Sequence, residues 1–130
     1  MNALHAILAA SLMAVAVFAC DIEMRLTTQT WYDTYVQVTW FNETKSDVYE
    51  FHEDGKTLKL RMKGLICNMK PTIVEVFKEC PTTGVKPYAR SSTFLEGLGF
   101  MEYVILSDGL SIGTRTGVLC SWGDCGAARG

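Results

Sequence analysis

Five cysteines, Cys20, Cys67, Cys80, Cys120 and Cys125, hold most of the chemical potential of this 130-residue sequence. Thiols can form disulfides, bind zinc or act as nucleophiles, and their spacing and surroundings decide between these uses. Cys120 and Cys125 bracket the segment Cys-Ser-Trp-Gly-Asp-Cys, which could supply half of a zinc site. No second close cysteine pair completes it, and the only histidines are His5 and His52. Disulfides are therefore the expected use of the thiols, and neither a metal nor a cofactor is expected.

Nucleophilic catalysis needs a base beside its nucleophile, and His52 is the one imidazole outside the first twenty residues. It reads as a solvent-facing side chain. Asp47, Glu50, Glu53 and Asp54 gather nearby but lack the ordered ligand spacing of a calcium loop, so they read as a solvated rim. No catalytic residue is assigned, and a non-enzymatic protein is expected. Asn42-Glu43-Thr44 is an acceptor sequon for an N-linked glycan in a polar turn. Trp31, Tyr32, Tyr35, Trp40 and Phe41 concentrate aromatic surface in one short stretch. Core packing is the expected fate of most of it, with Trp31, Tyr32 and the later Trp122 as candidate contacts for a partner.

These residues need a compartment and a scaffold. Residues 1–19 contain no Lys, Arg, Asp or Glu, and the apolar run from Ala6 to Phe18 has the length of a signal-peptide core. A cut after Val17-Phe18-Ala19 would leave Cys20 as the first mature residue. The run is shorter than the roughly 20 apolar residues that span a bilayer, and it lacks a basic flank. The expected organisation is thus a signal peptide, 1–19, and one disulfide-containing domain, 20–130, secreted to the extracellular space. A net charge of -2 without a basic run speaks against binding to nucleic acid or anionic lipid.

Alternation with period two dominates after Cys20, which predicts an all-β domain, a small antiparallel sandwich or Greek-key barrel of about seven strands. Ile22, Met24 and Leu26 alternate with polar neighbours, as do Val36, Val38 and Trp40. Val48 to His52 predicts a third strand, with Asp54-Gly55 as a tight hairpin leading to Leu58, Leu60 and Met62. Thr72 to Lys78 reads as a more buried strand. Pro81 to Gly97 reads as an irregular surface loop, followed by a strand from Phe100 to Leu106, a turn at Asp108-Gly109 and a strand from Leu110 to Cys120 weakened by Gly113 and Gly117. If consecutive strands run antiparallel, Cys20 and Cys67 fall at the same end of the sheet and are the preferred bridge. Cys80 would then pair with Cys120 or Cys125, leaving one cysteine over.

The leader ending in Val17-Phe18-Ala19-Cys20, the alternating strand after it and the later Cys67 and Cys80 resemble the excretory-secretory protein 2 family of small secreted nematode proteins. That family's fold is netrin-like, a β-barrel related to tissue inhibitors of metalloproteases. The resemblance implies a non-enzymatic protein that binds another extracellular protein. It also implies one candidate role, an amino-terminal Cys20 approaching the catalytic zinc of a protease. The chain reads Cys20-Asp21-Ile22 and lacks the second nearby cysteine of such inhibitors. The leading expectation is a secreted protein that binds an extracellular protein or a small ligand. The alternatives are a protease inhibitor acting through Cys20 and a secreted hydrolase with an unrecognised site.

Overall fold

The computed structural model describes residues 20–52 and 54–123, with the backbone alone for Ser121 and Trp122. The expected signal peptide, Glu53 and Cys125 lie outside the described residues, as do the contacts expected of the Trp122 side chain. The described chain is all-β: β1 (Cys20–Thr28), β2 (Thr34–Thr39), β3 (Tyr49–Phe51), β4 (Thr57–Gly64), β5 (Thr72–Phe77), β6 (Ala89–Ile105) and β7 (Leu110–Gly123). They form one sheet in the order β3-β2-β5-β6-β1-β4, with β7 added beside β6.

β1 illustrates how sequence pattern becomes core. Its inward positions Cys20, Ile22, Met24, Leu26 and Thr28 are almost completely buried, while the alternate residues are half-exposed. Burial of this kind contributes about 1.5–3 kcal/mol for each large apolar side chain. β1 lies between β4, which it pairs antiparallel from Cys20↔Gly64 to Thr27↔Thr57, and β6, which it pairs in parallel from Cys20↔Gly97 to Thr28↔Ile105. That single parallel ladder departs from a purely antiparallel arrangement. Parallel neighbours need a long crossover, and strands β2 to β5 supply it.

The longest strand shapes the molecule. β6 pairs with β5 through residues 89–93 and with β1 through residues 97–105. Thr93 is paired to both Thr72 and Gly123, and Gly97 to both Cys20 and Val118, so β5 and β1 follow one another along one edge while β7 occupies the other. Between the two ladders the strand coils sharply. The Thr93 and Tyr103 hydroxyls lie 2.9 Å apart in the buried interior, although ten residues of straight strand would span about 33 Å. Register shifts in the β6–β7 ladder, between Phe94 and Leu95 and between Gly97 and Phe100, accompany the bend. Glycine is required there: Gly97 (φ +115°) and Gly117 (φ +72°) have left-handed backbones, and a Cβ on either would strike a carbonyl of the facing strand.

The sheet therefore curls into a half-barrel, with β3 and β4 at the two ends of its main strand order. Two expectations are corrected here. The segment from Pro81 to Gly97 is a surface loop only as far as Tyr88, because β6 begins at Ala89. Its inward positions there are Ser91 and Thr93, both buried, so the alternation that marks a strand is carried by polar residues and escapes an apolar pattern. Asp54-Gly55 does make the turn between β3 and β4, with Gly55 at φ +81°, but those strands do not pair. The turn bonds instead to the end of β1, through Gly55 N–H to the Thr28 carbonyl (2.8 Å) and Thr28 N–H to the Lys56 carbonyl (3.0 Å).

Cys20 and Cys67 form a disulfide, as their placement at one end of the sheet requires, and a disulfide marks an oxidising environment. The expected bridge from Cys80 to Cys120 or Cys125 is not made. Cys80 is free and exposed, and Cys120 is disulfide-bonded. Cys80 follows the end of β5, and local strand geometry does not reveal which later cysteine shares its end of the fold. Among the described residues no helix is long and apolar enough to cross a membrane.

Candidate binding surface

The β1–β2 loop, residues 29–33, offers the most exposed large aromatic side chain of the described structure. Trp31, one of the candidate contacts, is 89% exposed. Trp40 and Phe41 do pack against the core, and the Phe41 ring lies against Gly64. Trp31 stands out because its neighbours are held and it is not. Gln29 N–H donates to the Ile105 carbonyl at 2.8 Å, anchoring the loop to the end of β6. Thr30, 3% exposed, donates its hydroxyl to the Tyr32 carbonyl (2.9 Å), and its amide donates to the Thr28 hydroxyl (3.3 Å). The Tyr32 hydroxyl in turn donates to the Ser107 carbonyl in the β6–β7 turn.

Tyr32 also belongs to an aromatic platform behind the tryptophan. The Lys78 ammonium stands 5.6 Å from the Tyr32 ring centre and 5.3 Å from that of Tyr88, within cation–π range. Tyr88 donates its hydroxyl to the Leu106 carbonyl at 2.7 Å. Burial, followed by the neighbouring Tyr32, holds the Tyr88 phenol well above its ordinary value, so it stays a neutral donor. Loop 29–33, the Gly55 turn and the β6–β7 turn all meet at this end of the half-barrel. A rigid platform carrying an unburied tryptophan can fill a partner's pocket at little cost in conformational entropy.

The opposite end is built around the Cys20–Cys67 disulfide. Leu65, Ile66 and Met69 in the β4–β5 loop are exposed, as are Leu98 and Leu119 on β6 and β7. One Glu96 carboxylate oxygen fixes that loop, accepting hydrogen bonds from the amides of Cys67 (2.7 Å) and Asn68 (2.9 Å). Asn42 is exposed at the same end, in a turn where Glu43 takes a positive φ of 68°. Its side-chain carbonyl accepts from the Thr44 hydroxyl at 2.6 Å and from the Thr44 amide at 3.3 Å.

His52 does face solvent, but not alone. Its Nδ1 lies 3.2 Å from Asp33 and its Nε2 3.3 Å from Glu50. Of the grouped carboxylates among the described residues, Glu50 joins it, while Asp47 and Asp54 are exposed outside the cluster. Asp33 escaped sequence reasoning because it is remote from His52 along the chain and adjacent only through the β2–β3 ladder. Comparison with family models, with curated proteins and with solved structures returns no match.

Proposed function

We propose that this chain is a secreted, non-enzymatic binding protein that recognises an extracellular protein, or a small ligand, through the end of the half-barrel that presents Trp31. The observation that carries the reading is an almost fully exposed tryptophan on a loop whose flanking residues are hydrogen-bonded in place. Large exposed aromatics cost solubility, and an ordered one is the usual anchor of an interface. The Cys20–Cys67 disulfide fits the extracellular compartment, as does an exposed Asn42 in the sequon turn, which would carry an N-linked glycan. A mass decrease on enzymatic deglycosylation, absent in Asn42→Gln, checks that modification.

The test of the function is capture from extracellular fluid with immobilised wild-type protein and Trp31→Ala in parallel. Retention of a partner by the wild type and its loss from the variant supports the reading. Equal retention by both would move the interface elsewhere. Stability of Trp31→Ala is expected to stay within about 0.5 kcal/mol of wild type, because the side chain buries little surface.

A second reading is protease inhibition from the Cys20 end, favoured by the exposed Leu65 and Ile66 beside Cys67. It requires the amino group of Cys20 to be free. One extra residue ahead of Cys20 should then abolish inhibition, and undiminished inhibition would exclude this mechanism.

A further inference from the structure

Among the described residues β4 pairs with β1 alone, so one side of its backbone is covered by no strand. We propose that this side is a docking edge for an extended segment of a partner protein in which acidic and apolar residues alternate, added to the sheet as one more strand. The register shows which groups would receive it. Thr28 N–H donates to the Lys56 carbonyl at 3.0 Å, making these two a hydrogen-bonded pair at the head of the β1–β4 ladder. Such pairs recur at every second residue of an antiparallel ladder. Leu58, Leu60 and Met62 therefore direct their amides and carbonyls to β1, and Thr57, Lys59 and Arg61 direct theirs outward.

There is room on that side. A hollow of about 330 Å³ separates β3 from the start of β4, with Tyr49, Phe51 and Leu58 in its wall, and a smaller one of about 160 Å³ separates the β2–β3 loop from the end of β4. Neither wall includes a β1 residue, so both hollows lie on the side away from β1. The β1–β4 ladder also runs through eight consecutive pairs without a bulge, and a long, regular edge is the kind that accepts a strand.

Side chains select the occupant. Leu58 and Leu60 face the core yet are only partly buried, which favours apolar residues on the inner face of an added strand. Lys59, Arg61 and Lys63 alternate with them on the outer face and are exposed. Arg25 stands directly across the ladder from Lys59, and like charges so placed are destabilising. Arg61 already holds Asp21 at 2.7 Å and Arg25 holds Glu23 at 2.8 Å, whereas Lys59 has no ion pair among the described residues. A carboxylate beside Lys59 on the added strand would relieve that repulsion. A second copy of this chain is the wrong occupant. Antiparallel pairing of β4 with itself, with Leu58 and Leu60 kept inward, sets Lys59, Arg61 and Lys63 against one another in every register that pairs most of the strand. The cations that keep two copies apart are the ones that attract an acidic strand.

The probe is a capped synthetic peptide of alternating glutamate and valine, with a lysine–valine peptide of equal length as control, titrated against the oxidised protein by fluorescence anisotropy. The glutamate peptide should bind saturably, and more weakly as salt rises, while the lysine peptide should not bind. In the complex the amides of Thr57, Lys59 and Arg61 should exchange more slowly with solvent. Lys59→Pro, which removes an outward amide and leaves the β1 ladder intact, should abolish binding and keep the wild-type circular dichroism. Lys59→Glu, a surface change that keeps the test open should the proline variant unfold, should weaken binding by at least about tenfold. Trp31→Ala should bind the peptide as the wild type does, which separates this edge from the Trp31 surface. The proposal is overturned by an absence of saturable binding, by equal affinity for the lysine peptide, by binding that both Lys59 variants leave unchanged, by loss of binding in Trp31→Ala, or by slowed exchange at another strand instead of β4. A dimer in sedimentation that Lys59→Pro dissociates would overturn it as well, making the occupant a second copy.

Discussion

The two ends of the half-barrel are held by different physics. At one end a buried disulfide joins the start of β1 to the β4–β5 loop, and a carboxylate clamps two successive amides of that loop. At the other, where β1 finishes, three turns are joined without a covalent link, by hydrogen bonds through Thr28, Thr30, Tyr32 and Tyr88. The covalent end limits what the unfolded chain can do, whereas the hydrogen-bonded end only orders what is already folded. Under the proposed function this contrast is a division of labour, with stability concentrated around Cys20 and Cys67 and recognition around Trp31.

The largest expected effect lies at the covalent end. Replacing Cys20 and Cys67 together by alanine opens a loop with a sequence separation of 47, which should cost about 4 kcal/mol by chain entropy. Urea unfolding of the oxidised protein and the variant measures it. A loss much below 1 kcal/mol would show that the two ends are equally dispensable.

Next in size is Glu96→Ala, which removes the acceptor of both the Cys67 and the Asn68 amides. Hydrogen bonds to a charged group are worth about 1.5–3 kcal/mol, and a loss of about 2 kcal/mol is expected in the same unfolding assay. The matching change at the other end is Thr30→Val, which keeps the shape but removes the hydroxyl that serves Tyr32 and Thr28. Its expected cost is about 1–2 kcal/mol. More telling is where the disturbance falls: hydrogen exchange should quicken at residues 29–33 and stay unchanged at Cys67 and Asn68. Faster exchange at both ends would mean that they unfold as one unit and that the contrast is false.

The smallest effect is electrostatic. The Arg61 guanidinium, hydrogen-bonded to Asp21 at 2.7 Å, holds that carboxyl below its ordinary value of 3.8. A depressed folded pKa means that the contribution is fully present above pH 3.8 and is lost as pH falls through the lower, folded value. The pair is exposed, so the loss should be slight. Asp21→Asn should flatten the pH dependence of the melting temperature below pH 4 and lower the melting temperature slightly at pH 7, where the ion pair is fully formed.

Much of this contrast could be read from local pattern. Ile22, Met24 and Leu26 declare β1 because alternation of apolar and polar residues is a property of a few neighbouring positions. The Cys20–Cys67 bridge was legible for a related reason, since strand count and direction place both residues at one end. β6 was only half legible. Its first part turns Ser91 and Thr93 inward, and buried hydroxyls are recognisable only once their surroundings are known: Thr93 meets Tyr103, while the Ser91 hydroxyl has no partner. The candidate contact Trp31 was legible as a residue type, though its exposure was not, because Trp40 and Phe41 in the same run do pack inward.

By itself the sequence determined most of the strands, the preferred bridge and an all-β class, because each depends on residues near one another or on simple counting along the chain. Tertiary structure alone decided that β1 runs parallel to β6, that β3 and β4 stay apart, that Cys80 is free, and that Asp33 meets Glu50 and His52. Each of these depends on which distant segments become neighbours. The sharp coil of β6 sets β5 and β1 along one of its edges, and side-chain alternation, which repeats every two residues, carries no record of it.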